Sequence, residues 1–272
     1  MKRTKFLYCL LFLFLLVFVA GICLFLFAAD SPTVLDEYDY DKVQELVVAE
    51  TSATVPQIST NACSEETTTL PPFEFQRVNL SYNYNELKSV NSDFAAWLHI
   101  PDTKISFPVV LGSDNYYYLN RSFTGASSAF GCLYFDVNTA GTPEHRVIHG
   151  HNMGNGREEM LSSLVNYQEQ TFAESHRFIY VSETEGQTDV YEVFAVVNFN
   201  IHTNLGTWNY MSLPFSTADE RSEYVSFLQG LSVYETDFYP SGNILILSTC
   251  NRAYGTSNRL LICASKIFCF SE

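Results

Sequence analysis

The chain has 272 residues and a formal net charge of −15, a length that suits one or two domains with a core of their own. Its 22 Phe and 17 Tyr supply ample core material. The acid excess, with no basic patch interleaved with aromatics, excludes a nucleic-acid binder; acidity by itself names no other partner.

Phe6 to Ala29 contains no charged residue and is long enough to cross a bilayer as a helix. Lys2, Arg3 and Lys5 precede it, and Asp30, Asp36, Glu37, Asp39 and Asp41 follow. The positive-inside rule therefore puts residues 1–5 in the cytoplasm and the body outside. A cleaved signal peptide is the competing reading, but signal cores run to about 7–15 residues. A single-pass anchor over 6–29 in the cell membrane is the expectation. Residues 30–72, rich in Thr, Ser, Glu and Asp, read as a flexible extracellular linker. Val43, Leu46 and Val47 offer it at most a short membrane-proximal helix.

A globular domain is expected over 73–272. Leu87, Val90, Phe94 and Trp97 are spaced for one face of a helix capped at Asn85 or Ser89. Ile105 to Leu111 reads as a strand whose Pro108 suggests an edge or a bend. Phe130–Phe135 and Arg146–His151 read as further strands. Between Gly154 and Tyr167, Met160, Leu161, Leu164 and Val165 share a helical face. Phe178–Val181 and Val190–Phe199 are strands joined through a turn at Gly186. Thr217 to Gln229 is the clearest helix, with Thr217 and Glu220 as a capping box, a Tyr224, Phe227, Leu228, Leu231 stripe, and Gly230 suited to the C-cap. Short strands broken by two or three helices indicate a mainly β fold, a barrel with helical insertions.

The chemistry concentrates near the C-terminus. Ile244-Leu245-Ile246-Leu247 is a short apolar run, which suits a strand covered on both faces. It ends in Ser248-Thr249-Cys250, and a second strand opens at Arg259. Two adjacent strands would return Arg259 to the side of the thiol, where a guanidinium lowers a thiol pKa and hydrogen-bonds an oxyanion. A buried structural Cys with a surface Arg is the plainer alternative. Of six His, His149 and His151 close the strand Val147-Ile148-His149-Gly150-His151, and alternation would turn both to one face. One of them could be the proton shuttle for Cys250. Alternatively the pair could ligate zinc or copper with Cys132 or Cys250, although no fourth ligand stands at a recognisable spacing. The seven Cys include no CxxC pair, so neither a zinc knuckle nor a dithiol redox site is indicated.

Taken together these residues resemble the sortases, membrane-anchored cysteine transpeptidases of Gram-positive bacteria, and class B among them. The resemblance runs from about Asn91 to Ile267. It is carried by Asn91-Ser92-Asp93-Phe94-Ala95-Ala96-Trp97-Leu98-His99-Ile100-Pro101, by Ile105-Ser106-Phe107-Pro108-Val109-Val110 and by Ser113-Asp114-Asn115-Tyr116-Tyr117-Tyr118-Leu119-Asn120. Gly150-His151-Asn152-Met153, Leu247-Ser248-Thr249-Cys250 and Arg259 then follow in order.

The resemblance implies an eight-stranded β-barrel with N-terminal and inserted helices. It makes Cys250 the nucleophile, His151 the general acid/base and Arg259 the oxyanion stabiliser, with Asn115, Leu119, His149 and Ser248 around the groove for the sorting signal. It further implies cleavage after Thr in the sorting motif of secreted proteins, a thioacyl enzyme, and transfer to an amine of peptidoglycan or lipid II, without metal or organic cofactor. Three departures from the family pattern stand out: His149 where Tyr is usual, a Cys-to-Arg spacing of nine where some members have ten, and Asn251 where some carry Glu. A pilin-polymerising sortase, a surface cysteine protease using water as acceptor, and a non-catalytic metal- or surface-binding module remain the alternatives.

Overall fold

A computed structural model describes residues 18, 40, 43–44, 47–52 and 77–271, apart from 155, 205–207, 212–214, 252–254 and 256. All of the apolar run Phe6–Ala29 except Phe18 lies outside the described residues. Among those described, no helix is long and apolar enough to cross a membrane.

Ten strands and three α-helices organise these residues. Strands β1 (Val47–Ser52) and β2 (Arg77–Tyr82) pair antiparallel as a separate ribbon. Eight others close into a barrel: β3 (Phe94–His99), β4 (Ser106–Val110), β5 (Leu133–Phe135), β6 (His145–His149), β7 (Phe178–Thr184), β8 (Gln187–Asn200), β9 (Ile244–Cys250) and β10 (Asn258–Ser271). Around the barrel the order is β10-β8-β7-β3-β4-β5-β6-β9, closing from β9 back to β10. The pairs β4–β5 and β6–β9 are parallel, and the rest are antiparallel. The mainly β, eight-stranded barrel expected from the sequence is therefore present.

Both faces of the wall are buried, for reasons visible in β9. Successive side chains of a strand alternate between faces. Leu245 and Leu247 enter the barrel interior with Leu98, Ile148 and Ile262. Ile244 and Ile246 point outward, where Val147, Phe194 and Cys263 join them beneath helix α3 (Ala218–Gly230), which contributes Tyr224, Val225 and Leu228. Each such side chain stabilises the fold by roughly 1.5–3 kcal/mol on burial. On the other side, Phe94 and Trp97 of β3 pack outward under helix α1 (Tyr84–Val90) and β2, with Leu87, Val78, Leu80 and Tyr82.

Several expectations need correction. The helix read through Trp97 stops at Val90, capped at its start by Asn83, and Phe94–His99 is strand β3. Asn91 separates the two. Its carbonyl accepts from the Phe94 N–H, its Oδ1 accepts from the Asp93 N–H, and its Nδ2 donates to Tyr118 and Phe123. Pro108 does not mark an edge; it pairs with Trp97 within the barrel wall, and the ladder to β5 begins one residue later at Val109. Gly154–Tyr167 is not an α-helix. Met160 bridges Asn152 with a left-handed φ of 56°, and a 3₁₀ turn then runs Ser162–Gln168. Helix α2 (Gln170–Ser175) follows it. In α3, Thr217 caps as expected, but Glu220 reaches back to the N–H of Ser216, and Leu231 rather than Gly230 is the C-cap. Within the stretch read as a linker, Tyr40 and Val43 are buried against the barrel domain and Gln44 donates to the Ser106 carbonyl.

Candidate active site

Cys250 is the last residue of β9, and Arg259, near the start of β10, stands directly opposite it in register. Opposed residues of an antiparallel pair project from the same face with Cβ atoms roughly 4.5–5.5 Å apart. The turn between them is closed by the Asn251 N–H on the Asn258 carbonyl (3.0 Å) and the Asn258 N–H on the Gly255 carbonyl (3.1 Å).

His151 lies beyond the end of β6, and three hydrogen bonds fasten its segment to β9. The Gly150 N–H donates to the Ser248 carbonyl (3.2 Å), Thr249 Oγ1 donates to the Gly150 carbonyl (2.8 Å), and Asn152 Nδ2 donates to the Cys250 carbonyl (3.0 Å). Both neighbours of His151 are thus tied to the last three residues of β9. Gly150 is required there: a Cβ would sit 2.3 Å from Leu133 Cδ2 and 2.7 Å from Leu161 Cγ.

The His151 ring is itself held. Its Nε2 lies 2.7 Å from the Leu119 carbonyl, and a carbonyl can only accept, so Nε2 carries the proton. Nδ1 is then the nitrogen left to exchange a proton. Gly131, at φ 64°, sits against this contact, with its Cβ position 2.8 Å from the Leu119 oxygen and 3.1 Å from His151 Cδ2.

The remaining candidates fall on one side. His149 ends β6, in register with Ser248 on β9 and Tyr134 on β5. The strand stops there, so alternation does not carry on to His151, and the two rings bond different partners. His149 Nε2 lies 3.1 Å from Asp136 Oδ2, to which Asn115 Nδ2 also donates at 2.8 Å. Asn115 Oδ1 accepts from the Val137 N–H (2.9 Å), joining the two loops. Ser248 is buried, 2% exposed, with the Tyr210 hydroxyl close by. Burial raises the Tyr210 and Tyr134 hydroxyl pKa values, and both phenols lie within electrostatic range of Arg259 and Cys250.

Asp136, Tyr134, Tyr210 and Gly131 carry no motif of their own, and the cross-strand pairing that sets Tyr134 opposite His149 is not written in either strand alone. Cys132 and Cys263 are buried, unlike Cys250. Cys132 is buried against the Pro108 carbonyl and its pKa is pushed up to about 12 by burial, and Cys263 is raised further for the same reason. Among the described residues no three His, Cys, Asp or Glu side chains gather as a metal site. The His149–His151 metal alternative therefore finds no converging set.

A cysteine paired in register with an arginine, and a histidine whose two neighbours are tied to the same strand end, on the rim of a closed β-barrel, make an arrangement suited to thiol-based acyl transfer. The Sortase domain family model matches residues 98–267, and the chain belongs to the sortase family, class B. It is 29% identical over 171 residues to sortase B of Listeria monocytogenes, covering 61% of this chain and 66% of that protein. Against sortase B of Staphylococcus aureus it is 24% identical over 188 residues, covering 68% of this chain and 74% of that one. The chain thus spans about two thirds to three quarters of these relatives. Among solved structures, Clostridium perfringens sortase B superposes with a TM-score of 0.60 at 25% identity, covering 68% of this chain and all of that one. A Staphylococcus aureus sortase B–substrate complex superposes with a TM-score of 0.59 at 25% identity, covering 68% and 84%.

Proposed function

We propose that the protein is a membrane-anchored cysteine transpeptidase that cleaves secreted proteins after Thr in a sorting motif and joins them to an amine of peptidoglycan or lipid II. The observation that carries this reading is the cross-strand opposition of Cys250 and Arg259, with His151 stitched to the same strand end. Family membership supports it, as does the relative solved as a substrate complex.

In the first step the Cys250 thiolate adds to the carbonyl carbon of the motif Thr. Arg259 donates to the oxyanion that develops, an interaction strongest in the transition state. The tetrahedral adduct collapses as its C–N bond breaks, and the leaving amine takes the Nδ1 proton of the His151 imidazolium. Nε2–H stays on the Leu119 carbonyl throughout. In the second step His151 Nδ1 accepts a proton from the incoming amine, the new amide C–N bond forms, and the C–S bond breaks to restore the thiolate. His149, Leu119, Asn115 and Ser248 belong to the wall of the peptide groove in this reading, Asn115 and Ser248 as supports from beneath. The apolar run 6–29 anchors the enzyme, with residues 1–5 in the cytoplasm and the barrel outside.

The test is to incubate the full chain, reduced and in detergent, with peptides of the LPxTG and NPxTN types and read intact mass. A thioacyl adduct that is absent in Cys250→Ala is the expected result. An adduct that persists in that variant, or a folded enzyme acylated by no peptide, would overturn the reading. Added amine should then convert the adduct to an amide; conversion only to free acid would make the protein a hydrolase.

A further inference from the structure

A tyrosine far ahead of the barrel in sequence reaches the loop that supports the His151 ring. Tyr40 stands 91 residues before Gly131, and only 6% of it is exposed. Its ring meets Phe107 of β4 edge-on, with centroids 5.7 Å apart and planes at 89°. Its hydroxyl donates to the Gly131 carbonyl, which can only accept. The Cys132 thiol lies within hydrogen-bonding reach of the same hydroxyl. Val43, 4% exposed, joins the cluster of Val78, Leu80 and Trp97, and Gln44 Nε2 donates to the Ser106 carbonyl at 2.9 Å. Packing thus places this short stretch against the barrel, and the Tyr40 hydroxyl is placed with it.

The bond matters because of the peptide it holds. The Gly131 carbonyl and the Cys132 N–H belong to one peptide plane. Tyr40 holds the carbonyl end, and the Tyr118 carbonyl accepts from the Cys132 N–H at 2.9 Å. Tyr118 lies in the 3₁₀ turn Tyr117–Asn120, and the next carbonyl of that turn, Leu119, holds His151 Nε2 at 2.7 Å. Gly131, at φ 64°, comes close to this point. Its Cβ position lies 2.7 Å from the Tyr118 oxygen, 2.8 Å from the Leu119 oxygen and 3.1 Å from His151 Cδ2. A glycine imposes no conformation of its own. Its orientation comes from the two bonds on the peptide that follows it, and Tyr40 supplies one of them.

We propose that Tyr40 is a positioning residue for His151, acting through the Gly131–Cys132 peptide and the Tyr117–Asn120 turn. Without the hydroxyl the Gly131 carbonyl loses this donor, and the peptide between Gly131 and Cys132 is free to rotate. Rotation withdraws the Cys132 N–H from Tyr118, the turn relaxes, and the Leu119 carbonyl no longer keeps the proton on Nε2. His151 then spends time with its proton on Nδ1, the nitrogen that must accept one from the incoming amine. The inference rests on the transpeptidase reading of the preceding subsection, and it makes a residue outside the barrel domain a support of the chemical step. It concerns the rate of that step and not the recognition of either substrate.

The experiment uses the full chain, reduced and in detergent, as wild type, Tyr40→Phe and Val43→Ala. One reading is the maximal rate of thioacyl formation together with the peptide concentration that half-saturates it. The other is the tautomer of the neutral His151 ring, from heteronuclear NMR of histidine-labelled protein with the signals assigned through His151→Gln. Wild type should carry the Nε2–H tautomer. Tyr40→Phe removes one oxygen and keeps the ring against Phe107. It should slow the maximal rate about tenfold, because a misplacement near 1 Å costs about a hundredfold and a relaxed turn moves the ring less. Half-saturation should be unchanged, and the His151 signals should move toward a mixture of tautomers. Val43→Ala loosens the same stretch without touching the hydroxyl, so rate and tautomer should stay at the wild-type values. Should Tyr40→Phe not fold, Phe107→Leu, which takes away the ring that Tyr40 stands against, decides on the same two readings. A Tyr40→Phe enzyme with the wild-type rate or an unchanged tautomer, or a Val43→Ala enzyme slowed equally, overturns this inference alone. The tautomer needs no substrate. A wild type that no peptide acylates therefore overturns the transpeptidase reading, and the NMR comparison still decides whether Tyr40 holds the ring.

Discussion

At the scale of single residues, the site is built by bonds that hold backbone as much as side chain. Asn152 illustrates this. Its Nδ2 donates to the Cys250 carbonyl and its Oδ1 accepts from the Gly154 N–H, so one amide spans the residue after His151 and the nucleophile candidate. Asn152→Ala should lower stability by about 0.5–1.5 kcal/mol while slowing adduct formation more than that loss accounts for, because the spacing of His151 and Cys250 relaxes. Single-turnover mass spectrometry on the folded variant checks it, and an unchanged rate would refute the tether. Gly131→Ala is the sharper case. A Cβ there meets the Tyr118 and Leu119 oxygens at 2.7 and 2.8 Å in a left-handed backbone, which by itself costs about 1–2 kcal/mol. The Leu119 carbonyl would move off His151 Nε2, and a misplacement near 1 Å is worth on the order of a hundredfold in rate. The measurement is the adduct rate at a temperature where circular dichroism shows the variant folded; a rate within twofold of wild type would separate Gly131 from catalysis. Cys250, His151 and Arg259 stand out in the sequence as candidates because a thiol, an imidazole and a guanidinium occur there in recognisable contexts. The sequence is silent on Gly131, Asp136 and Tyr210, whose roles depend on which loops come together.

At the scale of elements, alternation in the strands was legible and helical spacing misled. Ile244-Leu245-Ile246-Leu247 reads as a strand buried on both faces, and the structure buries both. By contrast Leu87, Val90, Phe94 and Trp97 fit a helical period by coincidence. Leu87 belongs to α1, Val90 is 43% exposed, and Phe94 and Trp97 belong to β3, with the break written only in the hydrogen bonds of Asn91. Met160 fails for a related reason: its apolar side chain is buried, but the bridge to Asn152 takes its backbone out of the helical region. Helix α3 was the best-marked element because its cap is a local signal. The Glu220 N–H donates to Thr217 Oγ1 at 3.1 Å. Thr217→Ala should therefore destabilise the protein by about 1 kcal/mol, read as a lower thermal midpoint. Since α3 covers the outer wall over Val147, Ile246 and Cys263 and not the rim, the adduct rate should stay at the wild-type value. A rate that falls with the midpoint would mean that this wall supports the site.

At the scale of the whole molecule, the barrel wall holds two histidines, His145 buried and His99 half-buried, that its folding keeps neutral. His145 is fully buried in β6. The Tyr224 hydroxyl donates to the Tyr210 carbonyl at 2.8 Å, so His145 Nε2 must donate to the Tyr224 oxygen at 3.0 Å. Nδ1 is left as an enclosed lone pair without a partner, and burial lowers the His145 pKa to about 4. His99, on β3, shares this condition, with a buried unpaired Nδ1 and a pKa lowered by burial to about 4. In the unfolded chain both titrate near the ordinary imidazole value of 6.5. Between pH 6.5 and 4 the unfolded state therefore binds protons that the folded state refuses, and stability must fall as pH falls through that window, by about 1.4 kcal/mol per pH unit for each group. Asp136, whose folded pKa lies below the unfolded value, adds its loss only at still lower pH, and Glu192, raised by burial, opposes the trend in the carboxylate range. Urea unfolding from pH 7 to pH 4.5 should show the midpoint dropping with an unchanged slope in denaturant. His145→Asn removes one titrating group at a site that still offers a donor to Tyr224, so the variant, though less stable at pH 7, should lose less between pH 6.5 and 4.5. A parallel decline in both proteins would mean that His145 is protonated within the folded barrel, and the neutral, partnerless Nδ1 would have to be abandoned.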